Sequence, residues 1–127
     1  MEFNAYKMDG LGNDFIIIDR RESSISLTKE KIIELGDRSN IGFDQIIFID
    51  KKKESSFPIK IFNSDGGEVS ACGNGSRCVA YLLGKNLNTK EIKLKTNNRV
   101  LNAKIVGNLK VELEMGKPLF SFEDIPL

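Results

Sequence analysis

The chain has 127 residues, 40% of them hydrophobic and 29% charged, the profile of one ordinary globular domain with a core of its own. Nineteen Lys and Arg against eighteen Asp and Glu leave a net charge of +1, which removes the electrostatic footprint of a dedicated nucleic-acid binder. No apolar run nears the roughly 18 residues of a membrane span, and the N-terminus lacks a signal-peptide apolar stretch, so no membrane association and a cytoplasmic location are expected.

In chain order, the segment from Ala5 ends in the turn-rich Asp9-Gly10-Leu11-Gly12-Asn13. Phe15 to Ile18 is a continuous apolar run and reads as a buried strand. A helix is expected after Thr28: Thr is a good N-cap, Glu30 suits the positive helix end, and Leu27 with Ile32 fits a hydrophobic staple. Gly36 marks its end. Gln45 to Asp50 and Pro58 to Phe62 read as strands separated by the charged turn Lys51-Lys52-Lys53-Glu54. Asn63-Ser64-Asp65-Gly66-Gly67 is strong turn chemistry. After Glu68 to Ala71, a helix carrying Cys78, Val79, Leu82 and Leu83 is expected from Asn74 or Gly75 through about Leu83, ending near Gly84 to Asn88. Beyond it the pattern alternates through Ile92, Leu94 and Thr96, then Leu101, Ala103 and Ile105, then Leu109, Val111, Leu113 and Met115. Gly107-Asn108 suits a two-residue hairpin turn between the last two runs. Strands dominate and two helices interrupt them, so the expected class is α+β with mostly antiparallel pairing.

Histidine is absent. A Ser-His or Cys-His dyad and an imidazole metal site are therefore excluded within this chain, and proton transfer near neutral pH falls to Cys, Asp, Glu, Lys or Tyr. The two cysteines, Cys72 and Cys78, are too few for a closed zinc site or a disulfide scaffold, so no metal is expected. Cys72 stands where a strand gives way to a helix, beside Gly73 and Gly75. Unpaired backbone amides at a helix start, approachable past glycines, make a cradle for a carboxylate or phosphate and stabilise a thiolate. A lone cysteine is otherwise most often a small buried hydrophobe, which is the reading for Cys78. Six residues along a helix place Cys78 roughly 9 Å from Cys72 and off its face, too far to share one substrate carbon. The G-x-G of Gly10 and Gly12 is a weak dinucleotide signal, because a strand rather than a helix follows. Asn13, Gln45 and Asn63 can each hydrogen-bond a polar ligand, although each is also ordinary turn or cap chemistry.

Together the segments Met8-Asp9-Gly10-Leu11-Gly12-Asn13-Asp14-Phe15, Ile41-Gly42-Phe43-Asp44-Gln45 and Phe62-Asn63-Ser64-Asp65-Gly66-Gly67-Glu68-Val69, the last leading into Cys72-Gly73-Asn74-Gly75-Ser76-Arg77-Cys78, resemble the motifs of the pyridoxal-independent diaminopimelate epimerases. The resemblance runs from about residue 6 to Met115-Gly116-Lys117-Pro118. Asp9 and Ser76 depart mildly from it, standing where the family often has His or another polar residue and Ala. The resemblance implies a curved, mostly antiparallel sheet wrapped around a central helix. It makes residues 1–118 an N-terminal domain and 119–127 the start of a linker toward a second, C-terminal domain. It further implies cofactor-free epimerisation of LL- to meso-diaminopimelate, a step toward lysine and cell-wall precursors, by a thiolate and a thiol on opposite faces of the α-carbon. In that scheme Cys72 is one of the pair, Gly73 and Asn74 help to hold the reacting carboxylate, and Asn13, Gln45 and Asn63 line the substrate cleft. The implied partners are diaminopimelate and the second domain, and an uncovered sheet edge favours self-association into a homodimer. The 127-residue chain alone is expected to be inactive. The alternatives are an amino-acid-binding half-domain without catalysis and a related amino-acid racemase or isomerase of the same fold.

Overall fold

The structure is a computed structural model that describes residues 4–118 except 11, 24, 38, 40, 41, 70–72, 98 and 109. The expectations for Cys72 and for the linker over 119–127 lie outside the described residues. In chain order the elements are β1 (Asn4–Gly10), β2 (Asn13–Asp19), α1 (Lys29–Gly36), β3 (Gln45–Ile49), β4 (Phe57–Asn63), β5 (Glu68–Val69), α2 (Gly73–Leu87), β6 (Glu91–Lys95), β7 (Arg99–Gly107) and β8 (Lys110–Pro118).

The strands make one sheet in the order β1-β2-β3-β4-β6-β7-β8. The pairs β2–β3 and β4–β6 are parallel and the remaining pairs antiparallel, so the expected α+β, mostly antiparallel class holds. The free edge of β4 is shared: β5 pairs with it at Ile61 and Phe62, β6 at Phe57 and Pro58. Helix α2 is the crossover between those two strands. It packs against β1, β2 and β3 on one side and β6, β7 and β8 on the other, so the sheet curls around it.

Alternation decides which side chains meet the helix. Phe15, Ile17, Ile47, Ile49, Ile59 and Ile61 face α2, where Cys78, Val79, Ala80 and Leu83 complete the core. On the opposite face Ile18, Ile46 and Phe48 pack with Phe43 and with Ile32 of α1. Both faces of β2 and β3 are thus covered, which is why they read as unbroken apolar runs. The α1 start follows its sequence signals: Thr28 caps it, its side chain accepting from the Lys31 backbone N–H. Arg20 lies over the Phe48 ring, 4.6 Å from its centroid, and pairs with Asp50. No helix among the described residues is long and apolar enough to cross a membrane.

Four boundaries differ from the sequence-based expectation. Strand β1 occupies a segment to which no element was assigned; its Tyr6 and Met8 are half-buried between exposed neighbours, an alternation too short to stand out. Helix α2 begins at Gly73, one residue before the earliest expected start, and runs to Leu87, within the expected range for its end, with Gly84 in its interior. A Cβ on Gly84 would stand 2.0 Å from Ile105 Cδ1 and 2.8 Å from the Thr89 carbonyl oxygen, so glycine is there for close packing against β7. The stop is Asn88, left-handed at φ 53°, with the Thr89 N–H reaching back to the Gly84 carbonyl. The turn between β3 and β4 falls on Glu54-Ser55, both at positive φ, one step past the lysine run. Finally, Gly107 pairs with Lys110 and belongs to β7, so the reversal follows it.

Gly84→Ala gains up to about 1 kcal/mol of helix propensity but introduces a clash of the kind that costs about 1–3 kcal/mol. Urea unfolding should show net destabilisation, partly relieved when Ile105→Val removes the Cδ1 methyl. A more stable Gly84→Ala chain would show that the contact yields freely.

Hydrogen bonds from the Arg21 guanidinium hold the Asp19 carboxyl below the usual carboxylate range, against the opposing effect of burial. Asp19 therefore stays ionised in the folded chain at a pH where it protonates in the unfolded one. Its contribution is complete above the ordinary carboxylate pKa of about 3.9 and fades as pH falls through the lower folded value. Wild-type stability should thus fall more steeply below about pH 4 than that of Asp19→Asn, read from urea curves taken at intervals of pH.

Candidate active site

Three strand ends bring the candidate amides together. The register sets Phe15 of β2 beside Gln45, and Gln45 opposite Asn63. Asn13 shares the face of Phe15 and Ile17, Gln45 that of Ile47 and Ile49, and Asn63 that of Ile61 and Ile59. Those apolar residues all belong to the core under α2. The amides therefore continue the helix-facing stripe past the end of the core, with Asn13 one pleat, about 6.6 Å, beyond the Gln45–Asn63 row.

The same end of the sheet receives the start of α2. Arg21, just past the far end of β2, donates to Asn86 Oδ1 at 3.2 Å and pins the C-terminal turn of the helix there. The fourteen steps between its 15 residues, at about 1.5 Å each, carry the axis back roughly 21 Å, about the length of β2, toward Asn13. Gly73 and Asn74, both half-buried, form the first turn of α2, which contains no acidic residue. Arg77 folds back over it: a Cβ on Gly73 would lie 3.2 Å from Arg77 Nη1. The helix dipole and a guanidinium thus add positive potential at one spot.

Gln45 Nε2 donates to Asn63 Oδ1 at 2.9 Å, which locks the two amides against each other. Gln45 Oε1 is buried and unpaired among the described residues, and so is the hydroxyl of Ser76 in the first turns of α2. A buried acceptor without a donor carries a desolvation cost that a ligand ammonium or hydroxyl could relieve. Asn13, Gln45 and Asn63 are neutral, so this wall reads hydrogen-bonding pattern rather than charge. Cys78, by contrast, is buried in the core at 9% exposure, as its place inside the helix implied. Cys72, which directly precedes Gly73, is the one candidate the described residues do not include.

Behind the amide row lies a feature the sequence reading passed over. The Asp14 N–H donates to Asp44 Oδ2 at 2.9 Å, and the Asp44 N–H donates to Asp14 Oδ1 at 3.0 Å. The available signal was adjacency, since Asp14 follows Asn13 and Asp44 precedes Gln45.

The family model described as diaminopimelate epimerase matches residues 5–121. The chain belongs to the diaminopimelate epimerase family. A diaminopimelate epimerase from Pelagibacter ubique is 52% identical over 127 residues, covering all of this chain and 46% of the relative. One from Coxiella burnetii is 40% identical over 131 residues, covering 99% of this chain and 48% of the relative. The chain spans about half the length of these curated relatives. Among solved structures, a predicted epimerase from Pseudomonas aeruginosa superposes with a TM-score of 0.64 at 17% identity, covering 90% of this chain and 42% of that one. A phenazine biosynthesis protein of the PhzF family from Enterococcus faecalis gives 0.63 at 15% identity, covering 82% and 40%. These two likenesses concern the fold: a diaminopimelate epimerase-like sheet curled around a central helix.

Replacing Gln45 by Met keeps the side-chain length and removes both polar atoms. The lost hydrogen bond to Asn63, about 1 kcal/mol, is offset by relief of a buried unpaired carbonyl. Urea unfolding should place Gln45→Met within about 1 kcal/mol of wild type. A loss well beyond that would mean the Oε1 atom serves the fold rather than a ligand.

Proposed function

We propose that this chain supplies one of the two half-sites of a cofactor-independent diaminopimelate epimerase. The observation that carries the reading is the row of three neutral amides at the end of the sheet where α2 begins, in a chain of this family. Such a wall suits an amino acid: the positive helix start for a carboxylate, and Gln45 Oε1, unpaired among the described residues, for an ammonium group.

Inversion at an α-carbon needs a base on one face and an acid on the other. In the proposed scheme the Cys72 side chain holds one of these roles. As a thiolate it takes the α-proton and becomes a thiol, while a thiol contributed by the second half delivers a proton to the opposite face and becomes a thiolate. In the reverse direction the roles exchange. The electron pair left on the α-carbon spreads into the substrate carboxylate, where the backbone amides of Gly73 and Asn74 would meet it already oriented. The same helix start would lower the pKa of the Cys72 thiol. Asn13, Gln45 and Asn63 would grip the polar groups of diaminopimelate. Burial removes Cys78 from the chemistry.

Two measurements test this reading. Alkylation near neutral pH, followed by mass spectrometry, should label Cys72 well before Cys78; equal labelling, or preference for Cys78, removes the activated-thiol argument. The 127-residue chain alone should not epimerise diaminopimelate, and activity should appear when the C-terminal half of a relative is added and vanish with Cys72→Ala. Robust turnover by the chain alone that disappears in Cys72→Ala would mean that one chain, or a dimer of it, builds both faces. Binding of diaminopimelate with no turnover in the reconstituted pair would favour a binding module.

A further inference from the structure

We infer that Asp14 and Asp44 are positioning residues, a reciprocal clasp that fixes the three ligand-facing amides relative to one another. The inference rests on the proposed role of those amides. The three strands are stitched to their ends by single backbone bonds: the Asp44 N–H donates to the Asp14 carbonyl at 3.0 Å, and the Ser64 N–H to the Asp44 carbonyl at 3.2 Å. Each residue in this stitch is next in sequence to one amide: Asp14 to Asn13, Asp44 to Gln45, Ser64 to Asn63. Strand ends held by single bonds fray, and parallel pairing is the less stable kind per residue. At the parallel β2–β3 end, the Asp14 N–H also donates to the Asp44 carboxylate, and the Asp44 N–H is shared between the Asp14 carbonyl and carboxylate oxygens, so the joint gains one further donor and a bifurcated, charge-assisted bond.

The pleat gives the clasp its leverage. Side chains of successive residues point to opposite faces, so the carboxylates lie behind the sheet while Asn13 and Gln45 point toward α2. The clasp therefore leaves the ligand side open. It sets the spacing between the Asn13 backbone and the Gln45 backbone, and the Gln45–Asn63 bond passes that order to the third amide. A slip at this joint would move Asn13 against the other two by a distance comparable to a hydrogen bond's tolerance, which is the scale on which binding geometry fails.

The test uses Asp44→Ala, Asp44→Asn and Asp44→Glu in the full 127-residue chain. Asn keeps an oxygen acceptor at the same reach, whereas Glu keeps the charge and misplaces it. Side-chain amide order of Gln45 and Asn63 is read by nuclear magnetic resonance, and meso-diaminopimelate affinity by calorimetry. The expected result is loss of order at the Gln45 amide and an affinity fall on the order of tenfold in Asp44→Ala and Asp44→Glu, with both readouts restored in Asp44→Asn. In the double variant with Gln45→Ala, Asp44→Ala should add less loss than it causes alone, because part of its effect passes through that side chain. Ordered amides and unchanged affinity in folded Asp44→Ala or Asp44→Glu overturn the inference, as does additivity with Gln45→Ala. If Asp44→Ala does not fold, Asp44→Glu decides. If the wild-type chain alone binds no diaminopimelate, the amide-order readout decides the clasp by itself, and absence of both binding and turnover in the pair reconstituted with a relative's C-terminal half overturns the proposed function instead.

Discussion

The close seating of α2 in the hollow of the sheet is the contact on which the rest of the molecule depends. Val79, Ala80 and Leu83 are almost entirely removed from water. They do so against strands from both halves of the sheet, including its two outermost members. A flat sheet cannot reach a single helix with every strand, so the strands must curl. Gly84 lets the backbone come within side-chain distance of β7, which a larger residue would forbid. The shared edge of β4 follows from the same demand: β5 leaves that edge partway along, and the chain crosses the hollow as α2 before returning as β6.

The proposed site arises from a mismatch in length. The apolar stripes of β2, β3 and β4 end where the helix begins, and the next helix-facing position on each strand is an amide. Apolar residues there would extend the core and stabilise the fold. Amides instead leave an acceptor, Gln45 Oε1, buried and unpaired among the described residues. Sites that give up stability for polar groups without protein partners are those where something else is meant to bind.

Much of this was legible in the residues. The Thr28 cap, the two-faced apolar runs of β2 and β3, and the alternation of β6 to β8 follow from local rules that tertiary structure did not override. The three candidate amides could be named because turn residues set them off, but their convergence could not, since it depends on the parallel register of segments thirty residues apart. The packing role of Gly84 was hidden for a related reason. Glycine is both a helix stop and a device for close approach, and only Ile105, far along the chain, distinguishes the two at Gly84. The aspartate pair escaped notice because each carboxylate bonds a backbone group of the other strand, a partner no sequence pattern advertises.

The tight turn at Glu54-Ser55 bears on how the molecule comes together in time. It is the tip of the connection over 50–56 that joins β3 to β4, so the Gln45–Asn63 pair lies within one hairpin, a unit of the kind that closes in microseconds. Asn13 joins that pair only when β2 finds β3 across a separation of thirty residues, a step with a larger entropic cost of loop closure. Two of the three amides thus meet early and the third arrives late. The polar wall is complete only when the slowest kind of pairing in the sheet has formed, which makes the site a marker of the fully folded chain.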